Sequence, residues 1–321
     1  METVKKAESN RLIILDFAGT LSIQTVLFGR KDRLARALRT SGLAQLGFRD
    51  PTMFWEELVF PTWEEGGLTS KGYAEVLAQR IGELLSRDSL PFMGRLGKKF
   101  VHRSRYPFLI DITYRFVQLY FQNSRIDPGW KALLKGPYFK ERMRSDEPLD
   151  TFLIATDHYA ECTAFLRCNL RRWGIRSTPI RRGIYPEQAC LSQNTSDSPS
   201  LSPKPTPIVF IANSADLGCW KKDPAFWEQV NKKLPLKTFQ RILLIDDFGH
   251  NEHRGDPYSD RQRIEQRRDS ILRCLASFSP AKVEVFPFFL ESPVSETPPA
   301  DIYLEYRRLL DEALLFFRNH W

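Results

Sequence analysis

The stretch RLIILDFAGT, residues 11–20, decides the reading of this chain: four consecutive apolar residues run into a single carboxylate, Asp16, and then into a Gly-Thr turn. A continuously apolar run of that length, followed by glycine, is the pattern of a strand buried on both faces, as in a parallel sheet covered by helices. TFLIATD (151–157) and RILLIDDFG (241–249) have the same form, each driving four apolar residues into hydroxyl or acidic ones at the C-terminal end. In an open α/β sheet, ligands bind outside the carboxyl ends of the strands, so the three termini are expected to converge on one crevice. The expected fold is α/β, a Rossmann-like parallel sheet with helices on both faces.

Helical rhythm fills the intervals. ECTAFLRCNLRRWGI (161–175) spaces Cys162, Phe165, Leu166 and Leu170 along one face and stops at Gly174. DPAFWEQVNKKL (223–234) opens on Asp223 as a cap, with Pro224 in the first position. SDRQRIEQRRDSILRCLASF and the terminal DIYLEYRRLLDEALLFFRNHW read as two more amphipathic helices. Residues 21–125 interrupt this alternation, with helix-like segments RKDRLARALRTSG, SKGYAEVLAQRIGELLS and LIDITYRFVQLYFQ separated by Gly and Pro. The expected organisation is therefore a core from 1–20 and 126–321 and a helical cap, 21–125, inserted after the first strand. Within the core, QNTSDSPSLSPKPTP (193–207) is Ser/Pro-rich and poor in apolar residues, the composition of a flexible surface loop. No internal repeat is present.

The 321 residues, 42% hydrophobic and 12% aromatic, suffice for a large core. Lys plus Arg number 47 against 39 acidic residues, a net charge of +8 that suits an acidic ligand: a phosphorylated small molecule, a nucleic acid or an anionic surface. Five cysteines, at 162, 168, 190, 219 and 274, form neither a CxxC pair nor a metal-ligand cluster, so reduced thiols in a reducing compartment are expected. METVKKAESN is polar and the apolar run behind it is too short for a signal peptide, and no later run reaches spanning length. These features predict a cytoplasmic protein without a membrane partner.

Four motifs, in order, resemble those of the haloacid dehalogenase (HAD) superfamily. They are an apolar strand ending in DFAGT, a strand ending in a hydroxyl residue in FLIAT, a lysine ahead of a helix in GCWKKDPAFW, and a strand ending in paired acids in LLIDD. IDPGWKALLKG (126–136) is similar to the helix start with which that family's chain returns from its cap. The resemblance implies a hydrolase in which Asp16 is the nucleophile. It also implies Mg²⁺ held by Asp16, the backbone carbonyl of Ala18, and Asp246 or Asp247. The chemistry suits those residue types: a carboxylate attacking phosphorus divides one hard displacement into two easier ones, and two anions meet only if a cation neutralises them. Thr156 would hydrogen-bond the phosphoryl oxygens, and a lysine would add fixed positive charge. Lys221 fits the family's Lys-Pro-Asp-Pro pattern, but Lys222 replaces the first Pro, so either lysine could take the role. Gly19 and Thr20 would turn sharply enough to bring backbone N–H groups to the anion.

Ala18 departs from the pattern. In the phosphatases of this superfamily the residue two after the nucleophile is a second Asp, which protonates the leaving oxygen and activates water, and such help is worth about 10²–10⁴-fold. DFAGT is similar to the Asp-aromatic-Ala-Gly-Thr of phosphonoacetaldehyde hydrolases, which use a cap lysine as a Schiff base; Lys31 and Lys71 are candidates by position. His158 and His250 follow motif strands and could replace the acid, whereas the spacing of His102, His158, His250 and His253 makes no metal site. Asn251 and Asp256, in the polar loop after the acid pair, could reach the metal through water. The basic, aromatic-interleaved RLGKKFVHRSRY (95–106) could select an acidic substrate or bind nucleic acid. Three functions are therefore open: a HAD-like phosphatase or phosphonatase, a catalytically impaired binding module, and a nucleic-acid end phosphatase.

Overall fold

The computed structural model describes residues 10–86, 106–135, 150–182, 208–253 and 257–320. The runs at 11–15, 151–156 and 241–246 form strands β1 (Arg11–Leu15), β2 (Thr151–Thr156) and β5 (Arg241–Asp246), joined by β3 (Arg176–Ile180), β4 (Ile208–Asn213) and β6 (Lys282–Pro287). All six lie in one parallel sheet in the order β3-β4-β2-β1-β5-β6. The chain is thus α/β with a Rossmann-like core. Leu15 lies opposite Ile154 of β2 and Ile245 of β5, so the three central strands end at the same level and their terminal residues are neighbours.

Alternate residues of β1 serve opposite layers. Leu12 and Ile14 pack with Phe226, Trp227 and Ile271 on one face. Ile13 and Leu15 pack on the other with Leu166, Leu170 and Tyr306, in a cluster that runs without a break into the helices that follow β1. This two-sided burial is why β1 carries no polar residue between Arg11 and Asp16.

The described residues between β1 and β2 are helical. Ile23–Phe28 and Lys31–Ser41 come first; Pro51–Phe54, Trp55–Val59 and Phe60–Leu68 run on as one helix with a π-helical middle turn; Tyr73–Ser86 and Tyr106–Asn123 pack as an antiparallel pair. The two ends of this insertion are tied at its base, where Asp127 N–H donates to the Leu21 carbonyl at 2.9 Å. Trp130, in the short helix Trp130–Lys135, is fully buried, and its indole N–H reaches the Thr20 carbonyl and the Tyr306 hydroxyl.

The helix expected from 161 is Glu161–Arg172, ended by Gly174 at φ +73°. At Pro224–Lys233 the capping expectation needs correction: Asp223 occupies the cap position, but its carboxylate accepts Trp220 N–H at 3.1 Å instead of a helix amide. The last two helices are Arg261–Phe278 and Pro299–His320. No described helix is long and apolar enough to cross a membrane. The expected loop at 193–207 lies outside the described residues.

Candidate active site

At the ends of β1 and β5 the chain brings Asp16, Asp246 and Asp247 together, all buried, with carboxylate oxygens within 4.8 Å of one another. Lys221, from the loop ahead of Pro224–Lys233, inserts its ammonium among them, 2.6 Å from Asp16 Oδ1 and 2.8 Å from Asp246 Oδ2. Its backbone is pinned on both sides: Lys221 N–H donates to Asp157 at 2.7 Å, and the indole N–H of Trp227 donates to the Lys221 carbonyl at 2.7 Å. That anchoring fixes which of the two adjacent lysines points inward. Lys222 is exposed and is absent from the site, so the expectation that it contacts the anion is corrected.

The turn after β1 also differs from expectation. Gly19 adopts φ +72°, and a Cβ there would lie 2.5 Å from Asp247 Oδ2, so glycine is required by conformation and by space. Its N–H, however, is taken by the Ser22 carbonyl and Thr25 Oγ1. Thr20 is fully buried; its hydroxyl accepts Asp247 N–H at 3.1 Å and its carbonyl accepts from Trp130 and Tyr306. The Gly19 N–H is therefore spent within its own turn, and the Thr20 hydroxyl braces the acid pair from behind. Asn251 braces it too, giving its backbone N–H to Asp247 Oδ2 and its amide to the Gly19 and Phe288 carbonyls. Phe248, between the acids and Gly249, holds φ +50°, and its N–H donates to Asp246 Oδ1 at 2.7 Å.

Three carboxylates around one ammonium leave this buried cluster short of positive charge. Burial pushes Asp16 well above the ordinary carboxylate range, with Asp246 and Asp247 adding to the shift and Lys221 opposing it. Burial and then Asp246 raise Asp247 to about 7. Burial works against the charge of Lys221, but Asp16, Asp246 and Asp157 outweigh it and hold the ammonium above the ordinary lysine value. The three carboxylates offer oxygen atoms close enough together to share one metal ion.

The cluster forms the floor of a cavity of about 170 Å³ that Ala18 and Thr156 also line. Its walls are aromatic. Trp55, Phe60 and Trp63 come from the helix with the π turn, Tyr120 from Tyr106–Asn123, and Trp220 and Tyr258 from core loops. Trp63 packs on Trp220 at 5.3 Å between centroids, an approach made possible by Gly67, where a Cβ would lie 2.5 Å from the Trp220 ring. Tyr258 donates to Asp157 Oδ2 at 2.5 Å. Burial raises both groups, Asp157 above the usual carboxylate value and Tyr258 well above the usual phenol value.

Of the histidines, His158 lines the cavity, but burial lowers its pKa to about 3. Its Nδ1 accepts Tyr159 N–H and its Nε2 meets the Tyr120 hydroxyl, both at 2.8 Å. His250 turns away, stacked on Phe289 with Nε2 at the Leu290 carbonyl. His253 lines the cavity with Nε2 on the Val26 carbonyl. Lys31 and Lys71 are both exposed, and Lys221 is the one lysine lining the cavity among the described residues. His102, Asp256 and residues 95–105 of the basic segment lie outside the described residues; Tyr106, its last residue, is exposed. Tyr258 and the aromatic wall are absent from the sequence expectations, and Asp157 enters them only as the acidic end of TFLIATD, although the density of aromatics in FWEELVFPTWEEGG (54–67) carried a signal.

No protein-family model and no curated protein matches this chain.

Proposed function

We propose that the chain is a HAD-like hydrolase acting on a phosphorylated or phosphonate substrate through an aspartyl-phosphate on Asp16. The observation that carries this reading is the buried meeting of Asp16, Lys221, Asp246 and Asp247 at adjacent strand ends, opening on a cavity. Asp16 attacks phosphorus, Lys221 offsets the charge on the transferring group, and Thr156 donates its hydroxyl to a phosphoryl oxygen. Asp16, Asp246, Asp247 and the Ala18 carbonyl are the groups that would hold Mg²⁺. Bound there, the ion would neutralise the carboxylates and draw charge from the phosphoryl oxygens. Water then hydrolyses the phosphoenzyme. The acidic substrate is a small molecule enclosed by the insertion, and the enzyme is cytoplasmic, where Cys162, Cys219 and Cys274 stay reduced.

A second reading, a catalytically impaired module that binds a phosphorylated ligand or a partner, is favoured by Ala18, which supplies no proton. The two are separated by phosphate release from a panel of phosphate monoesters and phosphonates with Mg²⁺, using wild type and Asp16→Asn. Release that vanishes in the variant is expected. Folded wild type that binds Mg²⁺ yet releases phosphate from no member of the panel contradicts the hydrolase and leaves the binding module.

A further inference from the structure

The hydrolase reading leaves two features unused. The first is the missing proton donor. Ala18 lines the cavity, and its side chain has no proton to give to a leaving oxygen. Three other titratable groups of the cavity are engaged by protein groups: His158 between Tyr159 N–H and the Tyr120 hydroxyl, His253 at the Val26 carbonyl, and Asp157 between Lys221 N–H and the Tyr258 hydroxyl; among the described residues, Glu252 is the remaining lining carboxyl outside the acid cluster. The second is the wall facing the acids, which is built of large aromatic rings and carries, among the described residues, no arginine and no lysine except Lys221. Such a wall offers stacking surface and no further partner for a second phosphate.

We infer that the substrate is a phosphate monoester of an aromatic or conjugated hydroxyl, whose oxygen leaves as a stabilised anion without a proton donor. This rests on Asp16 being the nucleophile. In the first step an Asp16 Oδ–P bond forms as the P–O bond to the ring breaks, and the electron pair stays on the phenolate or enolate oxygen. That anion collects its proton from solvent after departure, so Ala18 costs nothing at this step. In the second step water attacks phosphorus, the Asp16 carboxylate is released, inorganic phosphate forms, and the water's proton goes to solvent. An alkyl alkoxide is far too basic to leave in this way, whereas a phenol with pKa about 10 is not. The aromatic wall then supplies the binding that selects a planar leaving group.

The test compares phenyl phosphate with benzyl phosphate, which share a ring but differ by several pKa units in the leaving oxygen. With wild type and Mg²⁺, kcat/KM should favour phenyl phosphate by about 10²–10⁴-fold, the range that a general acid would otherwise recover. Ala18→Asp should narrow that gap by raising the benzyl rate. Phe60→Ala should raise KM for phenyl phosphate by a larger factor than KM for acetyl phosphate, which has a good leaving group but no ring. A phenyl-to-benzyl ratio near one overturns the inference while the hydrolase stands, because it means that another cavity group, Glu252 foremost, protonates the leaving oxygen. An equal effect of Phe60→Ala on acetyl phosphate overturns the aromatic selection. No release from either ester or from acetyl phosphate overturns the inference and the hydrolase together.

Discussion

Asp247 is the acid whose protonation most directly reports the charge deficit in the site, and replacing it should change how stability depends on pH. In the folded chain it titrates near 7 and in the unfolded chain near 4. Between those values the folded state holds a proton that the unfolded chain has lost, so stability contributed by Asp247 falls as pH rises. About two units of that window lie above pH 5, which at 1.36 kcal/mol per unit is roughly 3 kcal/mol. His158, with its pKa lowered to about 3, works in the opposite sense up to its unfolded value near 6.5, but it is common to wild type and variant and cancels in their difference. The raised pKa of Lys221 keeps its titration above this range. Urea unfolding of wild type and Asp247→Asn in EDTA, followed by tryptophan fluorescence from pH 5 to pH 8, should show the variant gaining about 3 kcal/mol on wild type across the range. Adding Mg²⁺ at pH 8 should then stabilise wild type, by about 2.7 kcal/mol at a hundredfold excess over Kd, and the variant much less. A difference between the two proteins that is independent of pH would refute the account of the cluster.

Lys221→Met removes the one ammonium between Asp16 and Asp246; it should cost about 3–5 kcal/mol near pH 8 and less at pH 5, as the acids protonate, measurable as the pH dependence of Tm. Gly19→Ala forces a Cβ to within 2.5 Å of Asp247 Oδ2 in a left-handed turn, so about 1–3 kcal/mol of stability should be lost and calorimetric Mg²⁺ affinity should fall with it. Because Ala18 cannot activate water either, phosphoenzyme hydrolysis should limit turnover, and rapid mixing with an aryl phosphate should release phenol in a burst equal to the enzyme present.

How far the sequence carried depended on where each residue's environment comes from. β1, β2 and β5 are legible because burial on both faces leaves an uninterrupted apolar run. β3 and β6 lie at the two edges of the sheet, where RSTPI and KVEVFP are only partly covered, so their patterns are polar or mixed and go unread. β4, IVFIAN, is apolar enough to read, but it follows directly on the Ser/Pro-rich stretch and the sequence reading stops at the boundary. Asp16, Thr156, Asp246 and Asp247 sit at strand ends, so the strand pattern itself places them. The choice between Lys221 and Lys222 is made by Asp157 and Trp227, contacts 64 and 6 residues away in sequence, and no local pattern encodes it. The aromatic wall joins residues from three helical segments and two loops, and only tertiary packing of the insertion on the core brings them together. Gly19 and Thr20 have the residue types of an anion-binding turn, yet the Gly19 N–H is spent on Ser22 and Thr25 and the Thr20 hydroxyl on Asp247.

The most direct test of the central claim is intact-protein and peptide mass spectrometry after acid quenching of the chain with Mg²⁺ and an aryl phosphate. The account predicts one added phosphoryl group on the peptide carrying Asp16, lost on treatment with hydroxylamine and absent from Asp16→Asn. Turnover of the ester with no phosphoryl group on Asp16 at any quench time, or with a phosphoryl group that persists in Asp16→Asn, would contradict it.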